Sequence, residues 1–304
     1  MISSFVLKII AAVTMLIDHA GLTLMYAGKL GSSPLYFVLR SIGRISFPLY
    51  AFLLVNGFEK TRDRAKYLMR LCIFAVISQL PYTFAMHKNN YSPWQDVNVF
   101  LLHGDLPFYL ALALLAAAYL LEGRKRKLLP LSLSAMAALV VSRLLWNAHG
   151  CVLLFQELNV LYTLACSLAV IWVLDLLRNR EQYSVRSLIT AAVVCIALCA
   201  LLIEKADYNW RGLLLVVLLY LFSGKPKMQA LMTALWGVIA YVGANITTEI
   251  LLGYLAGVCA ATACIFFYSG EQGRKSRAFY YVYPVHLAVY GAICQIIMQN
   301  AELF

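Results

Sequence analysis

Asp18 and His19 stand side by side inside an otherwise apolar run, Phe5–Ala27, and Arg40 and Arg44 stand inside the next, Tyr36–Phe58. His286 lies inside the last run, Phe279–Asn300, and Asp207 and Arg211 flank the start of a shorter one, Trp210–Phe222. An imidazole takes protons as a general base, a carboxylate holds a cation, and a guanidinium stabilises a developing oxyanion. These are the parts of a site where a proton changes hands. The same residues also suit a proton or anion path, so a transporter or flippase stays open at this point.

Runs of this length are spanning helices, which need about 20 mostly apolar residues. A charged group at membrane depth costs roughly 2.5–3.5 kcal/mol even on insertion scales, so it marks a cavity or a partner. With a rise of about 1.5 Å per residue, His19 and Arg44 come out at similar depth, roughly 4–5 Å to the outer side of the middle. Arg40 is one turn further out on the same face as Arg44. His286 comes out roughly 10 Å below His19 by the same count. Asp207 and Arg211, i and i+4 if helical, mark the outer rim. The positions describe a polar funnel opening outward.

Neighbouring helical residues diverge by about 100°, so Asp18 is expected to pair across to Arg40 or Arg44 and leave His19 unpaired, facing the cavity. Desolvation keeps such an imidazole neutral and able to accept a proton. The plainer reading, a structural ion pair beside a packing histidine, loses weight because every added ionisable group carries its own insertion cost.

The elements that hold these residues follow from composition. The chain has 304 residues, 62% hydrophobic and 13% charged, with a mean hydropathy of +0.78. A soluble domain carries about a quarter charged residues, and aromatic content of 13% excludes disorder. The remaining runs are Tyr67–Met86, Asp105–Leu121, Leu128–Trp146, Leu158–Leu177, Leu188–Ile203, Met228–Ala244 and Glu249–Phe267. The reading is all-α: one polytopic bundle, residues 1–304, of about eleven transmembrane helices, plus or minus one. A cleaved signal peptide is not expected, because the first run is long and carries Asp18 and His19.

Charge placement tests that reading. Alternate connections hold Lys8, then Lys60, Arg62, Arg64 and Lys66, then Arg124–Lys127, then Arg178, Arg180 and Arg186, then Lys225 and Lys227, then Arg274, Lys275 and Arg277. The opposite set holds only Lys29, Lys88, Arg143, Lys205 and Arg211. By the positive-inside rule the N-terminus is cytoplasmic and the C-terminus extracytoplasmic. The net charge of +11 is thus a face for acidic membrane lipids, with no basic stripe or motif for nucleic acid. The eight cysteines form no CxxC and read as small buried hydrophobes, so no disulfide framework or metal site is expected. His87, His103, His149, Glu157 and Glu249 fall at outer loops or helix ends, where solvation is the default. Tyr91–Asp105 reads as an interfacial or re-entrant cap.

LKIIAAVTMLIDHAG (7–21) resembles the TraX family, membrane proteins named for acetylating the N-terminus of F-type pilin. The resemblance continues through LRSIGRISFPLYAFLLVNGFEKTRDRAKYLMRL (39–71), ISQLPY (77–82), ELNVLYTL (157–164), ADYNWRGLLLVVLLYLF (206–222) and YYVYPVHL (280–287). Residues 87–156 match nothing in that pattern and read as inserted helices. More loosely, the opening block is similar to membrane acyltransferases that modify sugars, in which a histidine matching His19 is held to be catalytic. The resemblance implies a bacterial inner-membrane acetyltransferase. Its donor would be acetyl-CoA from the cytosol, its acceptor an amine or hydroxyl of a pilin, peptide or glycan reached from outside, and no metal would be used. It carries catalytic weight to His19, Asp18 and Arg44, and makes Arg40, Asp207, Arg211, Tyr283 and His286 candidates for binding substrate or CoA. Besides the transporter, a non-catalytic assembly factor for surface structures is the third reading.

Overall fold

A computed structural model describes residues 1–30, 33–86, 158–178, 206–242, 244, 246–274 and 278–299. Among these residues there are nine helices and no strand: α1 (Ser4–Tyr26), α2 (Pro34–Gly43), α3 (Ser46–Lys60), α4 (Arg64–Met86), α5 (Val160–Arg178), α6 (Asn209–Leu221), α7 (Pro226–Tyr241), α8 (Thr248–Phe266) and α9 (Phe279–Gln299). Five stretches are long and apolar enough to cross a membrane: α1, α2 and α3 taken together, α5, α8 and α9 up to Ile297. The expected runs Asp105–Leu121, Leu128–Trp146 and Leu188–Ile203, and the cap at Tyr91–Asp105, lie outside the described residues.

One run differs from expectation. Tyr36–Phe58 forms two helices, not one, with a turn at Arg44–Ile45. Pro48 has no N–H, so the carbonyl four residues earlier, that of Arg44, loses its helical donor. The turn tightens instead: Arg44 N donates to Ser41 O at 3.2 Å and Ile45 N to Ile42 O at 3.1 Å. Pro48 itself falls in the first turn of α3, where an N–H is not needed.

The chain divides into two compact units, residues 1–62, 77–89 and 211–304 in one, and residues 63–76 and 90–210 in the other. In the first, α1 packs on α2, α3 and α9, while α8 packs on α2, α3 and α7. Its core includes Leu7, Leu49, Phe52, Phe58, Leu215, Trp236, Ile265 and Leu287. Small residues let the backbones close up. A Cβ on Gly257 of α8 would run into the Ser41 carbonyl oxygen and, at 2.9 Å, the Arg44 Cβ. Gly253 and Gly257 make a G-x-x-x-G face of the kind that brings membrane helices together.

The polarity of this unit is inverted relative to a soluble domain. Val6, Ile9 and Val13 of α1, Leu231, Leu235 and Val238 of α7, and Tyr281, Val285, Val289, Ile293 and Ile296 of α9 are exposed. Asp18, His19, Arg44, Ser46, Gln229, Thr233 and His286 are buried. Apolar side chains outside and satisfied polar ones inside are what a hydrocarbon solvent selects.

The basic connections meet at one end. Ile2 N donates to Phe267 O and Ser269 N to Ile2 O, both at 2.9 Å, and Ser4 N donates to Glu271 O at 2.9 Å. Lys60 Nζ donates to Gly270 O at 3.4 Å, and the Lys227 ammonium sits 5.8 Å from the Phe266 ring centre. The start of the chain and the connections α3–α4, α6–α7 and α8–α9 thus share an end, as the alternation of basic loops requires. It follows that α1 and α9 start together, with Phe5 and Phe279 in ring contact, and run in the same direction.

In the second unit, Arg64 pairs with the Asp175 carboxylate. Asn159, fully buried, donates to Ala75 O at 2.8 Å and accepts from Leu161 N at 3.0 Å. Ser167 donates to Thr163 O at 2.7 Å, and Thr163 donates to the Asp207 carbonyl. Polar side chains here serve backbone groups that lipid would leave unsatisfied.

Replacing Gly257 by Val should force α8 off α2, since the obstacle includes backbone. A loss of about 1–3 kcal/mol is expected from such overpacking, seen as a lower melting temperature of the detergent-solubilised protein.

Candidate functional site

The site is built on α1, which starts at the Ser3 cap, whose hydroxyl accepts from Val6 N. Asp18 and His19 are both buried, and their divergence about the helix axis sends them to different neighbours. Asp18 faces α2. Its Oδ2 accepts from Arg40 Nη1 at 2.5 Å and its Oδ1 from Arg44 Nη2 at 3.3 Å. Both expected arginines therefore hold the same carboxylate. Arg44 Nε also donates to Arg40 O at 3.2 Å, and its guanidinium carbon lies 4.8 Å from the centre of the Tyr254 ring on α8, within cation–π range. The carboxylate is pressed against α2 where residue 43 is glycine: a Cβ there would overlap the Asp18 carboxyl.

His19 faces α9. Its Nδ1 lies 2.7 Å from His286 Nε2, and His286 Nδ1 lies 2.7 Å from Val282 O. A carbonyl only accepts, so His286 Nδ1 carries the proton and donates. Neutral His286 then has a lone pair at Nε2, which accepts from His19 Nδ1–H. The consequence is at the far side of His19, where Nε2 carries a lone pair. The two rings are 17° from coplanar with centres 4.9 Å apart, the geometry of an edge-to-edge bond in one plane rather than face-on stacking. Tyr283 sets its ring at a steep angle to both, 6.3 Å from His19 and 5.5 Å from His286, centre to centre. Tyr290 flanks His286 from the next turn at 5.6 Å and donates its hydroxyl proton to Leu16 O at 3.1 Å.

Six of the expected residues thus make a group of two parts on adjacent positions of α1: Asp18 with Arg40 and Arg44, and His19 with His286 and Tyr283. Two expectations about it change. His19 is bonded, not unpaired, and His286 meets it rather than lying a turn or two below. Counting depth treats each helix as upright and centred, and tilt breaks that assumption. The other two candidates stand differently. Asp207 is an exposed turn residue of the second unit whose Oδ1 accepts from Tyr208 N at 2.9 Å. Helix α6 begins only at Asn209, after two residues with positive φ, Tyr208 (62°) and Asn209 (36°), so Asp207 and Arg211 are not i and i+4 of one helix. Arg211 is exposed, and its carbonyl accepts from Trp236 Nε1 at 2.7 Å. Glu249 is exposed, as expected. His87, His103, His149 and Glu157 lie outside the described residues. Among the described residues no group of three or more His, Cys, Asp or Glu could hold a metal ion.

Tyr254, Tyr290 and Gly43 were not legible as site residues. Tyrosine is abundant here and reads as interfacial belt. The Gly253–Gly257 spacing was the available signal for Tyr254, since it marks the α8 face that approaches another helix.

A family model described as TraX protein matches residues 3–152 and 102–294. The chain belongs to the TraX family. Every residue of the group described above falls within the matched spans. A relative from Dichelobacter nodosus, named probable fimbrial assembly protein FimC, serogroup H1, is 29% identical over 292 residues, covering 94% of this chain and 93% of its own length. No solved structure matches.

Removing Asp18 takes the carboxylate from the buried Arg44 guanidinium and from the half-buried Arg40 one. Asp18→Ala should cost about 3–5 kcal/mol, the range for breaking a buried ion pair from one side, while Asp18→Asn should cost less. Thermal unfolding in detergent measures both.

Proposed function

We propose that this TraX-family protein is a membrane acetyltransferase that moves an acetyl group from acetyl-CoA to an amine or hydroxyl acceptor. The observation that carries the reading is the chain Val282 carbonyl–His286–His19, which fixes the tautomer of His19 and leaves a lone pair at its Nε2. His19 Nε2 takes the proton of the acceptor as the acceptor's nitrogen or oxygen attacks the thioester carbonyl. The new bond places negative charge on the carbonyl oxygen, and Arg44 is the donor that stabilises it. Collapse breaks the C–S bond, and the proton held on His19 passes to the thiolate, giving free CoA and neutral His19. While His19 is protonated, its Nδ1–H bond to His286 orients the ring and spreads the charge. Asp18 fixes Arg40 and Arg44. Arg40, Tyr283 and His286 are assigned to binding substrate or CoA beside His19.

In this reading the shared basic end faces the cytoplasm, where acetyl-CoA is made, and its lysines and arginines meet acidic lipids and the phosphates of CoA. About eleven spans put the C-terminus outside, in the inner membrane of a bacterium. The acceptor enters from the far end. The fimbrial name of the Dichelobacter relative supports a pilin subunit as acceptor, ahead of another peptide amine or a glycan.

The test uses the full chain in nanodiscs with radiolabelled acetyl-CoA and acceptor-containing membranes. His19→Ala should lower transfer by about 100-fold or more, the usual contribution of a general base. His286→Gln, whose amide oxygen accepts the His19 N–H, should retain more activity than His286→Ala. Full transfer by His19→Ala would overturn the assignment of the base. Substrate uptake by proteoliposomes without any acyl-CoA would overturn the enzyme reading in favour of transport.

A further inference from the structure

The histidine pair bridges the first and last described helices, so its 2.7 Å N–N bond depends on how far apart α1 and α9 are held. Two ring nitrogens of His286 are fixed in the ring plane, by His19 and by the Val282 carbonyl. Tyr283 and Tyr290 also set their rings at steep angles to that ring, 5.5 and 5.6 Å away centre to centre. Tyr290 is also tied to the other helix through its hydroxyl, which donates to Leu16 O at 3.1 Å. Leu16 is one turn before His19, and Tyr290 one turn after His286. The two helix–helix bonds therefore lie within a single turn of each other on both helices, and the Tyr290 bond sets the spacing at which the imidazoles meet.

We infer that Tyr290 is a positioning residue: its hydroxyl, through the Leu16 carbonyl, holds α9 against α1 so that His286 keeps the His19 tautomer. Without that hydroxyl the ring still packs on His286, but the helices lose their nearest tie. The imidazoles then sample separations at which His19 Nδ1 is unbonded and the proton moves between the two nitrogens of His19. The lone pair faces the reacting side for only part of the time. The kinetic arm of this inference rests on the acetyltransferase reading, whereas its structural arm does not.

The experiment compares wild type, Tyr290→Phe and, as a control that deletes a distant hydroxyl, Tyr268→Phe, each as full chain in nanodiscs with ¹⁵N-labelled histidine. In wild type, solid-state NMR should show the His19 Nδ1–H proton correlated with both Nδ1 of His19 and Nε2 of His286. Tyr290→Phe should weaken that cross-bond correlation and bring up the other His19 tautomer, and Tyr268→Phe should not. Acetyl transfer by Tyr290→Phe should fall roughly threefold to tenfold in kcat with KM for acetyl-CoA unchanged, the size of one lost hydrogen bond. An unchanged correlation in Tyr290→Phe overturns the inference. A changed correlation in a protein with no transferase activity upholds it and sinks the acetyltransferase reading instead. Wild type supplies a further check that needs no variant: the Tyr290 ring and the Leu16 carbonyl should give a close ¹³C–¹³C contact, and its absence overturns the inference.

Discussion

In hydrocarbon a charge has no water to turn to, so ionised side chains are stable only where they answer one another. Asp18 and its two guanidiniums are that constraint made visible. One carboxylate takes a donor on each oxygen, and each donor comes from α2. The bond from Arg44 Nε to the Arg40 carbonyl and the face of Tyr254 fix the second guanidinium further. The arrangement also constrains the backbone, since residue 43 must lack a Cβ for the carboxylate to fit. Remove the carboxylate, and α1 loses the ion pairs that join it to Arg40 and Arg44.

The same constraint separates two tasks on adjacent residues. Asp18 is committed to cations and His19 to another imidazole, because one helix sends neighbours in different directions. The ion pair holds the scaffold and the histidine pair holds a tautomer. Neither side chain substitutes for the other, although they are consecutive in the chain. Tyr283 and Tyr290 surround the histidines with aromatic edges, keeping the pair in a setting where a proton's position is decided by bonds rather than by solvent.

Much of this was legible in residue types. A carboxylate in a spanning run needs a cation, and Arg40 and Arg44 were the cations at matching depth. The alternation of basic loops anticipated that the chain start and the connections near Lys60, Lys227 and Gly270 share an end. What sequence could not deliver was anything that depends on tilt or close approach. Depth counting placed His286 well below His19, yet they bond. Pro48 lies within an apolar run, while its effect falls four residues earlier, where Arg44 turns. Tyr254 was hidden among tyrosines of ordinary interfacial type, and only its place between Gly253 and Gly257 set it apart. Asp207 and Arg211 looked like a helical pair because the left-handed residues Tyr208 and Asn209 carry no mark in a one-dimensional pattern.

The two histidines are 267 positions apart, one on the first described helix and the other on the last. During synthesis, His19 enters the bilayer long before the ring that will orient it exists. A chain that stops before α9 therefore holds an imidazole whose proton no second ring fixes. Assembly order thus decides when the position of that proton is set.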